Sequence, residues 1–111
     1  MRMTIKSMKI WTTPDSYPTN SSMDKLNMFT SNLNGDFDGD LAHLVSYDGG
    51  GGIAYVDVLC YPWYGTSYSG LSTTFSKAPT YSWTVSVIAH ELGHSVGSPH
   101  THACAWGPNG N

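Results

Sequence analysis

The sequence predicts an α/β fold of at most one domain, because both strand-like and helix-like patterns occur along its 111 residues. Strand-forming residues cluster at three places, and apolar residues recur at helical spacing at two others. A chain of this length ordinarily forms one domain. Its hydrophobic content of 40% and charged content of 12% indicate a chain that folds around a core.

Three segments predict strands. Residues 4–11 (TIKSMKIW) alternate apolar and polar side chains, and residues 41–47 look like a second strand. Residues 53–60 (IAYVDVLC) give the strongest strand signal, because they are rich in good strand formers. Residues 61–81 are rich in Tyr, Ser, Gly and Pro and predict a long loop.

Two segments predict helices. The first begins at Ser21 or Ser22 and ends near Asn34, where the following glycine is a good stop signal. The second runs from about residue 83 to 96, with Ser82 as its N-cap. Stepping about 100° per residue along this helix predicts an apolar stripe that faces the core. The stripe consists of Val85, Ile88, Ala89, Leu92 and Val96.

Charge and cysteine usage narrow the class of protein. The net charge of -3 and the scattered basic residues argue against a nucleic-acid partner. No segment is long enough to predict a transmembrane helix, and residues 1–11 lack the continuous apolar region of a signal peptide. Cys60 and Cys104 could pair with each other or with cysteines elsewhere.

Residues 90–100 (HELGHSVGSPH) match the motif H-E-x-x-H-x-x-G-x-x-H at every fixed position. His90 and His94 lie one helical turn apart, on the side opposite the apolar stripe, and can direct ring nitrogens at one point. His100 can join them only if the chain turns sharply after the helix. Gly97 permits that turn in a left-handed conformation, and Pro99 prevents the helix from resuming.

This motif predicts a catalytic zinc site. Three histidine ligands leave a fourth position for water, whose pKa zinc lowers toward neutrality. Glu91 is the only glutamate in the chain and follows the first ligand directly. We expect Glu91 to act as the general base that takes a proton from the water and as the acid that returns it to the leaving amine.

The same motif resembles the extended zinc signature of the metzincins. Residues 51–60 (GGIAYVDVLC), 83–89 (WTVSVIA) and 100–104 (HTHAC) make the reprolysin (adamalysin)-like branch, especially its bacterial members, the most similar group. The resemblance extends from about Lys9 to Trp106. It implies a twisted mixed sheet with an antiparallel edge strand, a backing helix and an active-site helix. It also implies an extracellular zinc-dependent endopeptidase.

In such enzymes the edge strand binds an extended peptide substrate in an antiparallel manner. Mapped onto this chain, that strand would form the upper rim of a cleft, and the alternative is an ordinary edge strand. The residues concerned are Gly52, Ile53, Ala54, Tyr55 and Val56.

The resemblance also implies a Met-turn downstream of the third histidine, but all five methionines lie at or before Met28. We therefore expect residues 1–111 to be part of a larger catalytic domain, with its N-terminal part and Met-turn subdomain missing. The alternative function is a zinc-binding module without activity, which activity with Glu91→Ala as control would distinguish. A structural zinc site is disfavoured because no fourth protein ligand is evident.

Four weaker signals remain. Residues 34–40 resemble the start of a calcium loop, but Val45 replaces the glutamate required at position twelve, so a polar turn is the alternative. His43 is expected to be structural. His102 is expected to be a surface histidine, the alternatives being an outer-shell group or an accidental ligand. Several aromatic side chains could line a substrate pocket or pack under the long loop: Tyr61, Trp63, Tyr64 and Tyr68.

Overall fold

A three-stranded sheet with two helices packed on it makes up the fold in the computed structural model of the chain. The structure describes residues 2–19, 21–47, 51–74, 76–77 and 79–100. In chain order the elements are α1 (Ser22–Leu33), β1 (Ala42–Ser46), β2 (Gly52–Ala54), β3 (Thr66–Gly70) and α2 (Trp83–Ser95). Within the described ranges, no helix is long and apolar enough to cross a membrane.

The sheet is mixed and has the strand order β1-β3-β2. The central strand β3 pairs in parallel with β1, with Leu44 opposite Tyr68. It pairs antiparallel with β2, with Ile53 also opposite Tyr68. This arrangement confirms the predicted α/β class and its antiparallel edge strand.

Helix α1 and one face of the sheet enclose the apolar core. Its buried members are Leu26 and Phe29 on α1, Leu44 on β1 and Tyr68 on β3. The predicted helix is confirmed at both ends. The Ser21 side chain accepts a hydrogen bond from the backbone of the first turn, and the helix ends at Asn34 in a left-handed conformation with φ 51°.

Helix α2 packs against β3 and β2 and covers the other face of the sheet. Alternate side chains of a strand point to opposite faces, and all five residues of β3 are buried. The Thr66 hydroxyl lies 2.7 Å from that of Thr30 on α1, whereas Ser67 and Ser69 point to the α2 side. The central strand is therefore covered on both faces, as in α/β proteins generally.

The strand predicted at residues 4–11 does not form. This segment has no regular structure, and Ile5 and Ile10 are 76% and 74% exposed. An alternating pattern becomes a strand only when a neighbouring strand satisfies its backbone groups, and no described strand pairs with this segment.

The strand predicted at residues 53–60 is shorter than expected, because β2 ends at Ala54. Asp57 and Cys60 take positive φ angles of 56° and 71°, which lie outside the strand region. The predicted loop at residues 61–81 is also wrong in part, because it contains the central strand β3.

Candidate metal centre

Helix α2 carries the histidine motif and begins at a well-defined cap. Ser82 has extended backbone angles, and its hydroxyl accepts a hydrogen bond from the Val85 amide at 3.4 Å. The cap satisfies one of the amides that a helix leaves without a partner in its first turn. The predicted start of this helix is confirmed.

The face that α2 turns toward the sheet differs from the predicted apolar stripe. Val85 is 52% exposed, and the remaining stripe residues are exposed or only half-buried. Helical spacing identifies faces but does not decide which of them meets the sheet. The small serines of β3 allow close approach here, so a more polar face is buried. Its residues are Val87, Glu91, His94 and Ser95.

The predicted turn after α2 is present and depends on Gly97. This glycine has φ 101°, a conformation that side chains disfavour. Its amide donates to the His94 carbonyl at 2.9 Å, and the Ser98 amide donates to the Gly93 carbonyl at 2.9 Å. This pair of bonds is the Schellman pattern that closes a helix. It reverses the chain and brings residues 98–100 back toward the last turn.

The segment after β2 also donates hydrogen bonds to carbonyls at this helix end. The Asp57 amide donates to the His94 carbonyl, and the Val58 amide donates to the Ser95 carbonyl, both at 2.9 Å. These bonds explain why β2 ends early, since the backbone of residues 57–58 pairs with α2 and not with a strand. They also fasten the last turn of α2 to the sheet edge.

Three imidazoles converge at the end of this turn. The Nε2 atom of His94 lies 3.0 Å from that of His90 and 3.0 Å from that of His100. The Nε2 atoms of His90 and His100 lie 3.3 Å apart. Two nitrogens bound at tetrahedral positions to one zinc ion are separated by about 3.4 Å. The donor set and its spacing therefore fit a metal ion bound by three imidazoles.

A backbone carbonyl orients the central histidine of the trio. His94 is buried, and its Nδ1 atom lies 2.6 Å from the Ser98 carbonyl oxygen. Because a carbonyl only accepts, Nδ1 carries the proton and Nε2 keeps its lone pair for the shared point. The Schellman turn that places Ser98 thus also sets the tautomer of His94.

Glu91 lies against the edge strand, in space that only a glycine leaves open. It is 5% exposed. A Cβ atom added at Gly52 would come within 2.6 Å of the Glu91 Cγ and Oε1 atoms. Burial raises the pKa of the Glu91 carboxyl above its ordinary value, and the nearby imidazoles of His94 and His100 oppose that shift.

The residues predicted for substrate binding divide into two groups. Gly52 to Ala54 form β2, which lies at an edge of the sheet. Tyr55 and Val56 follow the strand, and the Tyr55 ring packs edge-on against Tyr64 with 5.3 Å between ring centroids. Only the first group offers an unpaired strand edge among the described residues.

The sequence did not reveal a polar cluster beneath α2. The two ring nitrogens of His43 lie 2.6 Å and 2.9 Å from the hydroxyls of Ser67 and Ser69. The alternating serines of residues 66–70 could have signalled a strand with one polar face. The structural role expected of His43 is consistent with this position, and burial lowers its pKa from 6.5 to about 4.

We expect this buried histidine to make stability fall in acid. The folded pKa lies below the unfolded value, so the stability that His43 contributes is complete above pH 6.5 and is lost as pH falls toward about 4. Proton linkage sets the full loss at about 3 kcal/mol. Urea unfolding of the metal-free chain at about pH 7 and about pH 5 measures the part of this loss that falls within that interval. In His43→Gln the decrease should be smaller by about 2 kcal/mol over that interval, and an equal decrease in both proteins would contradict the assignment.

The weaker predictions have mixed outcomes. The aspartates of residues 34–40 form no group of three ligands in the described part of the chain, where the histidine trio is the one such group. Tyr68 belongs to the core, whereas Tyr61, Trp63 and Tyr64 are exposed. Cys60 is exposed as well. The predictions for His102 and Cys104 lie outside the described residues.

The α/β fold and the convergent imidazoles beside a buried glutamate define a protein with a candidate metal centre on a helix. The chain belongs to metallo-peptidase family M12, since the family model Reprolysin_5 matches residues 1–109. This match confirms the resemblance to reprolysin-like metzincins. No curated protein and no solved structure gives a significant match.

Proposed function

We propose that the chain is a zinc-dependent endopeptidase that hydrolyses peptide bonds, with His90, His94 and His100 as metal ligands and Glu91 as general base. One observation carries the proposal. Three Nε2 atoms, two from α2 and one from the segment that returns after Gly97, lie 3.0–3.3 Å apart near a buried carboxyl group. Membership of a metallopeptidase family supports a peptide as the substrate.

Zinc is the ion that this donor set favours. Three imidazoles with no described fourth protein ligand are typical of catalytic zinc sites. A zinc ion held there would supply Lewis-acid chemistry, because it lowers the pKa of water and polarises a carbonyl group. His90 and His100 are exposed and His94 is buried, so the trio opens toward solvent on one side.

Glu91 is the residue that moves the proton. Its carboxyl group takes a proton from the attacking water and later returns it to the leaving amine. Its side chain is buried against the strand edge, near the imidazoles of His94 and His100. Gly52 keeps the required space free, since any side chain there would displace Glu91.

The outer edge of β2 is the proposed site for the substrate backbone. Among the described residues, strand β2 pairs with β3 on one side only, so the amides and carbonyls of its other side are open to an extended peptide. Because Gly52 touches Glu91, a peptide bound along this edge would pass the carboxyl group and the imidazoles.

Metal-dependent cleavage of an unfolded protein tests the proposal. We expect the zinc-loaded chain to cleave reduced and alkylated casein, to lose this activity in 1,10-phenanthroline and to regain it when zinc is added back. Gel electrophoresis and mass spectrometry of the fragments measure the outcome. A chain that binds one zinc ion and cleaves no peptide would be a metal-binding module without activity.

A further inference from the structure

Two serine hydroxyls beneath α2 share one histidine ring. Ser67 and Ser69 are 1% and 0% exposed. The Nδ1 atom of His43 lies 2.6 Å from the Ser67 hydroxyl, and its Nε2 atom lies 2.9 Å from the Ser69 hydroxyl. The ring is neutral at neutral pH, because burial lowers its pKa to about 4. A neutral imidazole accepts one hydrogen bond and donates one, so one serine donates to the ring and the other accepts from it.

The same face of the sheet carries Glu91. Residues that lie opposite each other on neighbouring strands share a face, and Gly52 of β2 is opposite Ser69 of β3. A Cβ atom added at Gly52 would come within 2.6 Å of the Glu91 Cγ and Oε1 atoms. Cβ positions of opposite residues are about 5 Å apart, so the Glu91 carboxyl lies next to Ser69.

The Ser69 hydroxyl does not use this neighbour. In the part of the chain that the structure describes, no hydrogen bond joins the Glu91 carboxyl to another side chain. A buried hydroxyl proton needs an acceptor, and a carboxylate would be the strongest one nearby. The hydroxyl of Ser69 bonds instead to His43 on β1. Ser67 is opposite Ala54 and therefore lies one strand position further from Gly52 and Glu91.

We propose that His43 is a positioning residue for the reaction: its Nε2 atom accepts the Ser69 hydroxyl proton and so keeps that hydroxyl from binding the Glu91 carboxyl. The Nδ1 atom then carries the ring proton and donates it to Ser67. The inference rests on the proposed function, because Glu91 is the proposed general base. A bond from Ser69 would hold the carboxyl against the sheet, and a misplacement of about 1 Å can cost about 100-fold in rate.

The tautomer of His43 can be measured without catalysis. Nitrogen chemical shifts of isotope-labelled imidazoles show which ring nitrogen carries the proton, and the His43→Gln chain assigns the signals of His43 by their absence. In the zinc-loaded wild type at neutral pH we expect the proton on Nδ1. A proton on Nε2 would overturn the inference, whether or not the chain cleaves peptides. Failure of the proposed function is thus distinguishable from failure of this inference.

A double-mutant cycle measures the consequence for the rate. His43→Leu removes the acceptor of the Ser69 proton, so kcat should fall by about 10-fold or more. KM and zinc affinity should stay within about 2-fold of wild type, because the edge of β2 and the three ligands are unchanged. Adding Ser69→Ala to His43→Leu removes the competing hydroxyl and should restore kcat to within about 3-fold of wild type. A double variant no faster than His43→Leu would overturn the inference, since a merely structural cluster predicts further damage.

Tyr68→Phe is the matched control, because it removes a buried hydroxyl from the same strand on the opposite face. The Tyr68 hydroxyl lies 2.9 Å from that of Ser46, on the α1 side of the sheet. Its loss should lower the free energy of unfolding and leave kcat unchanged. An equal fall of kcat in Tyr68→Phe and His43→Leu would overturn the inference, because lost stability would then explain both. If His43→Leu does not fold, the tautomer measured in wild type decides the question.

Discussion

Replacing Glu91 with glutamine is expected to lower the rate of peptide hydrolysis by about 10²–10⁴-fold, the usual contribution of a general acid–base residue. Glutamine has nearly the same size and fits the space beside Gly52, but it cannot accept a proton at neutral pH. Zinc affinity should change little, because the three Nε2 atoms come from other side chains. Steady-state kinetics and zinc titration on the same preparation measure both quantities.

Asp38→Asn is the matched control, since it makes the same chemical change at an exposed carboxylate paired with Lys6. Its activity should equal that of wild type. Activity of Glu91→Gln within about 3-fold of wild type would rule out the proposed general base. Loss of zinc together with activity would instead show that Glu91 supports the metal site.

His94→Ala is expected to weaken zinc binding by more than about 100-fold, because even loss of a partner that merely orients a metal ligand costs about 10–100-fold. His94 is the central member of the trio, 3.0 Å from both of the other Nε2 atoms. Wild type should hold one zinc ion per chain. Competition with a chromophoric chelator measures the affinity, and elemental analysis measures the stoichiometry.

A second consequence concerns stability. A ligand that binds only the folded chain adds about 2.7 kcal/mol to the free energy of unfolding at 100 times its Kd. Zinc should therefore raise the unfolding temperature of wild type and leave that of His94→Ala unchanged. His43→Gln, which removes an imidazole outside the trio, should keep the zinc-dependent increase. Equal zinc affinity in wild type and His94→Ala would contradict the ligand assignment.

Both helices could be predicted because their ends are encoded locally. Ser21 and Ser82 accept hydrogen bonds from first-turn amides, and Asn34 and Gly97 adopt left-handed conformations just past the last turns. Such caps depend on residues within about four positions in the sequence, so short-range patterns contain the required information.

The strands were predicted less well because pairing is a long-range property. Residues 66–70 (TSYSG) lack an apolar alternation and still form the central strand. Tyr68 is buried by α1, and Ser67 and Ser69 bond to His43 of the neighbouring strand. Residues 4–11 have the alternation, but no described strand pairs with them. Partners distant in sequence therefore decide which segments become strands.

The sequence by itself determined the local geometry of the candidate site, because the spacing of His90, Glu91, His94, Gly97 and His100 specifies a helix, a left-handed turn and a returning histidine. Only the tertiary structure decided which face of α2 is buried, how Gly52 makes room for Glu91, and that Trp83 lines a cavity beside Gly51 and Gly52. Helical periodicity is a property of one segment. Burial and cavities depend on the shape of a second surface, here the serine-rich face of β3 and the glycine edge of β2.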